Sequence, residues 1–172
     1  MADALNRILT ELGITEAMLA ARGLRPCEEA RNLALADTGS DGREHLLVPE
    51  AAAAWQRMQA AARHAGVDLI MVSAFRSVAR QVEIVRRKLD AGQTLDDILS
   101  VCAPPGYSEH HTGRAVDLTT PGAALLELDF ESTSAFDWLT RQADRYGFEL
   151  SYPRGNAAGY QYEPWHWCYR CL

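Results

Sequence analysis

Apolar positions along the chain repeat at two spacings, one helical and one extended, and the points where the spacing changes divide it into elements. Leu5, Ile8, Leu9 and Leu12 fall at helical intervals. Residues 1–36 therefore read as two or three short helices, the last opened by Pro26 and running through Leu35. Residues 37–43, D-T-G-S-D-G-R, have the Gly, Ser and Asp content of a turn. A short strand at 45–48 follows, and Pro49 then stands in the first turn of an alanine-rich helix reaching about His64. Trp55, Met58 and Ala62 mark the buried stripe of that helix, and Gly66 stops it.

The run D-L-I-M-V-S-A at 68–74 is apolar almost throughout, the pattern of a strand central in its sheet. Ser77 caps a helix whose Val78, Val82, Val85 and Leu89 share one face. Arg76 then lies at a strand-to-helix corner, with Gln81 one turn further on. Thr94 and Asp97 form a capping-box pattern for a short helix to Val101. Residues 103–106, A-P-P-G, make a rigid approach loop. Beyond it, Arg114 to Leu118 alternates polar and apolar like a strand. Ser134 opens another helix with Phe136, Leu139, Ala143 and Tyr146 on its apolar face, and Gly147 ends it. A strand at 148–152, a turn-rich excursion at 153–159 and a closing strand at 160–169 complete the chain. This order fits an α+β domain, a mostly antiparallel sheet flanked by helices. The boundaries are an N-terminal helical extension at 1–44 and one main domain at 45–172.

Composition narrows the partners. The 172 residues carry a net charge of −6, with 48% apolar and 23% charged side chains; a nucleic-acid binder would show a basic face instead. No stretch approaches the ~20 apolar residues of a membrane span. The N-terminus lacks the basic start, apolar core and cleavage site of a secretory signal, so the expected compartment is the cytoplasm, or the periplasm if the natural chain begins further upstream. Cysteines stand at 27, 102, 168 and 171. Cys168 and Cys171 form a lone C-x-x-C without the second pair of a structural zinc site.

Candidate chemistry concentrates in residues 107–118, Y-S-E-H-H-T-G-R-A-V-D-L, where His110 and Asp117 flank Gly113. Zinc in hydrolases usually takes three protein ligands plus a water. Two candidates lie here, and His166 of Y-E-P-W-H-W at 162–167 offers the third. His111, beside His110, competes for the same role. Glu163 would be the base that takes a proton from water and passes it to the leaving amine. In a regular strand, residues three apart point to opposite faces, so Glu163 and His166 need a bulge or kink at Pro164 to act together. Arg76 suits a substrate carboxylate or a developing oxyanion, and Ser108 and Gln81 offer neutral hydrogen bonds. Trp165 and Trp167 read as core and rim aromatics. His45 and His64, away from any acid or cysteine pattern, read as ordinary histidines.

Taken in order, S-A-F-R-S at 73–77 with Gln81, P-P-G-Y-S-E-H-H-T-G-R-A-V-D-L at 104–118, Y-G-F-E-L-S-Y-P at 146–153 and Y-E-P-W-H-W at 162–167 resemble the VanY-type zinc D-alanyl-D-alanine carboxypeptidases. The family pattern is S-x-H-x-x-G-x-A-x-D followed by E-x-W-H, and the likeness runs from about Leu46 to Tyr169. The resemblance puts His110 on the ligand position and His111 on a variable one. It implies Zn2+ held by His110, Asp117 and His166, Glu163 as catalytic base, and Arg76, Gln81 and Ser108 on the substrate. The implied reaction removes a terminal D-alanine from peptidoglycan stem peptides or muropeptides, across a D,D or an L,D bond. The N-terminal extension and the ending from Cys168 lie outside the likeness. Without an export signal, the expected task is trimming recovered wall peptides. An endopeptidase of the same fold, or a zinc-containing binding module like the hedgehog-type domains, are the alternatives; the presence of Glu163 favours an enzyme.

Overall fold

Most of the helical and extended spacings fold as they read. In the computed structural model, which describes residues 2–170, α1 (Ala2–Glu11) and α2 (Glu16–Ala21) open the chain, and the Thr15 hydroxyl caps α2. The alanine-rich segment is α3 (Pro49–His64), which buries Trp55, Met58 and Ala62 completely. Helix α4 (Val78–Asp90) is capped by Ser77, whose Oγ accepts from the Arg80 N–H. Thr94 does the same for α5 (Leu95–Val101) through the Asp97 N–H. Helix α6 (Ser134–Gln142) runs on into a 3-10 turn, Ala143–Tyr146, and stops at Gly147, whose φ is 80°.

The third N-terminal helix is absent. From Pro26 the chain runs as an irregular strap, its Cys27 and Ala30 N–H groups donating to the carbonyls of Gly106 and His111. It ends in β1 (Ala34–Thr38), which pairs antiparallel with β2 (Glu44–Leu47). Cys27, Ala30 and Leu33 do fall at helical spacing, but the Cys27 and Ala30 N–H groups go to the body of the domain, and the Glu29 carboxylate accepts from the Val78 N–H at the start of α4. The hairpin straddles the boundary drawn at 44/45, so residues on both sides of it share one small sheet.

The main sheet has four strands in the order β3 (Ile70–Ser73), β4 (Ala115–Thr119), β6 (His166–Tyr169), β5 (Phe148–Leu150), each pair antiparallel. Strand β3 is therefore an edge and not central, and Ile70 is 41% exposed. The closing strand is also shorter than its reading: only the stretch from His166 is extended, and residues before it turn. The central strand is β4, buried along its whole length. One face of the sheet, with Val116, Leu118 and Trp167, packs in the main core against α3 and α6. A second core joins α1, α2, α4 and α5 through Leu9, Leu12, Ile14, Leu19, Val85, Ile98 and Leu99. Among the described residues, no helix is long and apolar enough to cross a membrane.

Candidate metal centre and the cleft around it

Because side chains alternate along a strand, the face of β4 opposite Val116 and Leu118 belongs to Asp117. Asp117 pairs directly across the ladder with His166 of β6, so both side chains leave the same face. A register shift in β3 between Met71 and Ser73 lies beside Asp117. Just past it, the Ala74 carbonyl meets His110 Nδ1 at 2.7 Å. His110 itself sits on a 3-10 turn, Glu109–Thr112, capped by Ser108 and closed by Gly113 at φ 65°. Gly113 allows both the left-handed backbone and the close pass: a Cβ there would lie 3.0 Å from Leu33 Cδ2 and 3.2 Å from the Val48 backbone nitrogen.

The three candidate ligands, His110, Asp117 and His166, are buried, and each offers a donor atom within 4.8 Å of the others. Asp117 Oδ2 lies 3.1 Å from His110 Nε2, and Oδ1 lies 3.0 Å from His166 Nδ1. His110 donates its Nδ1–H to Ala74, and burial holds its pKa below the usual imidazole range. Its Nε2 lone pair therefore faces a carboxylate oxygen directly. Burial works against the charge of Asp117, yet the two imidazoles, His110 foremost, keep its pKa far below the ordinary carboxylate range. Two acceptors in that position repel each other unless a cation lies between them. Two imidazoles and a carboxylate are a donor set that suits zinc.

His111 is excluded as a ligand by its own bonds: Nδ1 meets the Arg76 carbonyl at 2.6 Å, and Nε2 accepts from the Gly106 N–H at 3.1 Å. Glu163 does reach the same side as His166, with Oε2 3.9 Å from His166 Nδ1. No strand bulge is needed, because residues 163–166 form a turn in which the His166 N–H donates to the Glu163 carbonyl at 3.1 Å. Burial pushes Glu163 up to about 7, with His166 pulling it down and Asp117 pushing it up.

Arg76 lies on the other side of Asp117, Nη2 to Oδ2 3.8 Å. Its guanidinium donates to Ser73 Oγ at 3.0 Å and Gln81 Oε1 at 3.2 Å. Gln81 is 1% exposed, and its Nε2 donates to the Ala103 carbonyl at 2.6 Å. Its amide thus holds Arg76 in place and does not line the cleft. Ser108, with Oγ accepting from the His110 N–H, does line it. The cleft measures about 850 Å³ and runs from Arg76, His110, Asp117 and Glu163 to Arg154 and Leu126. Trp165 borders it, whereas Trp167 is buried in the main core. His45 is buried near the small hairpin and His64 is exposed, both away from the centre. Cys27, Cys102 and Cys168 are free thiols; Cys171 lies outside the described residues.

Contacts made only in three dimensions complete the site. Glu109 accepts from His166 Nε2 at 3.0 Å and from Arg170 Nη2 at 2.7 Å. The Tyr152 ring stacks on His166, with centroids 4.6 Å apart. An acid directly before a ligand histidine was the one sequence signal for Glu109.

Residues 44–172 match the family described as VanY, D-alanyl-D-alanine carboxypeptidase. The chain belongs to the VanY family. It is 37% identical over 120 residues to YodJ of Bacillus subtilis (strain 168), covering 68% of this chain and 44% of that protein. To the D-alanyl-D-alanine carboxypeptidase of Enterococcus faecalis (strain V583) it is 31% identical over 119 residues, covering 63% and 42%. It thus spans less than half the length of these relatives. Among solved structures, the LD-carboxypeptidase LdcB aligns with TM-score 0.74 at 32% identity, over 82% of this chain and 69% of that one. The D,D-pentapeptidase VanY of a VanB-type resistance cassette, in complex with Zn(II), aligns with TM-score 0.65 at 27% identity, over 85% and 82%. The VanY match begins at the small hairpin and leaves α1, α2 and the strap outside it.

Proposed function

We propose that the chain is a zinc-dependent carboxypeptidase that hydrolyses the bond before a terminal D-alanine of peptidoglycan stem peptides. One observation carries the reading: a buried three-donor set with a second carboxylate, Glu163, lying 3.9 Å from His166 in the cleft. His110 Nε2, Asp117 and His166 Nδ1 would hold zinc, and the metal supplies the Lewis acidity that makes hydroxide available near neutral pH.

The remaining steps belong to the chain. Glu163, whose pKa burial has moved to about 7, takes the proton of the attacking water and delivers it to the departing D-alanine amine. A base poised near the working pH exchanges protons most effectively in both directions. Arg76, held by Gln81 and Ser73, directs its free N–H groups at the substrate's terminal carboxylate or the developing oxyanion. Ser108 adds a neutral hydrogen bond beside it. The solved relatives include an LD-carboxypeptidase and a D,D-pentapeptidase, so the tetrapeptide with its L,D bond and the pentapeptide ending in D-Ala-D-Ala are the two candidate substrates.

The test is incubation of zinc-loaded protein with stem tetrapeptide and pentapeptide, read by mass spectrometry. Loss of a single D-alanine is expected, and the peptide trimmed faster identifies the preferred bond. Cleavage inside the stem would reassign the protein as an endopeptidase, and no product from either peptide would remove the enzymatic reading.

A further inference from the structure

The two candidate histidine ligands are steadied differently. His110 rests on a backbone carbonyl, that of Ala74. His166 rests on a side chain, Glu109, at a position the family pattern S-x-H leaves open. Glu109 Oε2 takes His166 Nε2 at 3.0 Å, while its Oε1 takes Arg170 Nη2 at 2.7 Å. Arg170 in turn reaches Glu149 through Nε. Glu149 is on β5, Arg170 follows β6, and Glu109 begins the 3-10 turn that carries His110. One chain of charged contacts therefore links three segments to the ring of a single ligand. The carboxylate has 18% of its side-chain surface exposed, so this is a largely desolvated contact.

We infer that Glu109 is a positioning residue for the metal: when a cation takes the place of the Nδ1 proton, its carboxylate keeps the remaining proton of His166 on Nε2, so that Nδ1 presents its lone pair beside Asp117. A neutral imidazole has one N–H and one lone pair, and the partner of the first decides where the second points. Without Glu109, the Nδ1–H tautomer would donate to Asp117 Oδ1, 3.0 Å away, and both groups would be lost to the metal until that proton left. Outer carboxylates of this kind typically change metal affinity by about 10–100-fold. The Arg170–Glu149 pair holds the carboxylate's other oxygen, which prevents Glu109 from turning toward the cation and becoming a ligand itself. The inference rests on the proposed zinc site but on no particular substrate.

The experiment is zinc titration against a competing chelator for the unsubstituted protein, Glu109→Ala, Glu109→Leu and Glu109→Gln, with thermal unfolding of each. The Leu variant keeps the volume of the side chain, and carries the test if the Ala variant does not fold. Both are expected to bind zinc about 10–100-fold more weakly. Gln, which can still accept from Nε2–H but loses the charge, should fall between. Nitrogen-15 spectra of labelled histidine in the zinc-loaded proteins should show the Nε2–H of His166 in the unsubstituted chain, and its hydrogen bond lost in the Ala and Leu variants. A folded Ala or Leu variant with unchanged zinc affinity would overturn the assignment. Because the titration needs no substrate, an unsubstituted protein that binds zinc yet cleaves no stem peptide refutes the proposed function and leaves this inference standing.

Discussion

The two faces of strands β4 and β6 are opposite in chemistry, although they alternate residue by residue. On one face Val116, Leu118 and Trp167 join the apolar core under α3 and α6. On the other, Asp117 and His166 stand in a buried network of carboxylates and imidazoles. Both faces exclude water, but only the first gains free energy from doing so. Desolvating charge costs stability unless each charge is paired, so the second face is held by its contacts and by the first face's packing. The ladder thus separates what keeps the protein folded from what it does. A slip of one residue would exchange the two sets.

The sharpest way to test this separation is to remove groups from one face at a time. Glu163→Gln should leave zinc binding and the melting temperature of the zinc-loaded protein intact, while turnover of stem peptide falls by about 10²–10⁴-fold. Unchanged turnover would remove Glu163 as the base. Leu118→Ala, one residue along from a ligand but on the other face and fully buried, should do the reverse. A cavity there costs about 2–5 kcal/mol, seen as a lower denaturant midpoint, with turnover per folded molecule retained. If Leu118→Ala abolished zinc binding in protein still folded, the two faces would not be separable in this way.

The metal-free protein should reveal the cost of the polar face through pH. Glu163 is raised from 4.5 to about 7 by burial, so the folded state holds a proton that the unfolded chain has released. The contribution of Glu163 then falls as pH rises from about 4.5 to 7, by up to the order of 3 kcal/mol. His166, raised by Asp117 and Glu109 to about 10 against its burial, contributes stability that is fully present below 6.5 and lost as pH climbs through 10. Asp117 and Glu109 are shifted down by their histidine partners against burial; their contribution is present above the ordinary carboxylate range and lost in acid. His45, His110 and His111, held below the usual imidazole range by burial, add stability as pH rises toward 6.5 and oppose Glu163 there, so the metal-free protein should weaken clearly from about pH 7 toward alkali, measured as melting temperature against pH. Zinc displaces protons from its ligands, so its stabilisation should grow over the same range. A metal-free protein more stable at pH 9 than at pH 7 would contradict the raised pKa of His166.

How much of this could be read from the chain depended on the range of the contacts. The helices α3 to α6 and their caps are local patterns, and they appeared where the spacing put them. The three side chains of the buried donor cluster, and Glu163 beside them, were legible as candidates because a short motif carries them. Strand β3 was misread as central because an apolar run records burial, not which neighbour provides it; Leu69 and Met71 are covered by the main core while the strand still lies at an edge. The Glu163–His166 relation was posed correctly but solved as a strand defect, when a turn ends just where β6 begins. Glu109 and Arg170 could not be placed from spacing, since each acts through a partner far away in sequence, and Gln81 was placed beside Arg76 but given to the substrate, whereas its amide holds the guanidinium.

Arg22 is the last such residue, and it gives the smallest expected effect. It lies outside the segment that matches the family, yet its Nε donates to the Ala158 carbonyl at 2.8 Å and its Nη1 to the Leu99 carbonyl at 2.7 Å. Its guanidinium also sits 4.4 Å from the centre of the Tyr160 ring. Tyr160 lies 4.7 Å from Tyr152, which stacks on His166, so the N-terminal helices press on the cleft wall through one cation and two rings. Charged hydrogen bonds and a cation–π contact in this setting contribute about 1–3 kcal/mol together. Arg22→Ala should lower the melting temperature by a few degrees and raise KM for stem peptide, with zinc affinity unchanged. Arg22→Lys should recover little, because an ammonium cannot meet two carbonyls and a ring with one planar fork. If Arg22→Ala left KM unchanged while lowering stability, the N-terminal helices would serve the fold alone, and the cleft wall would be set entirely by the residues that match the family.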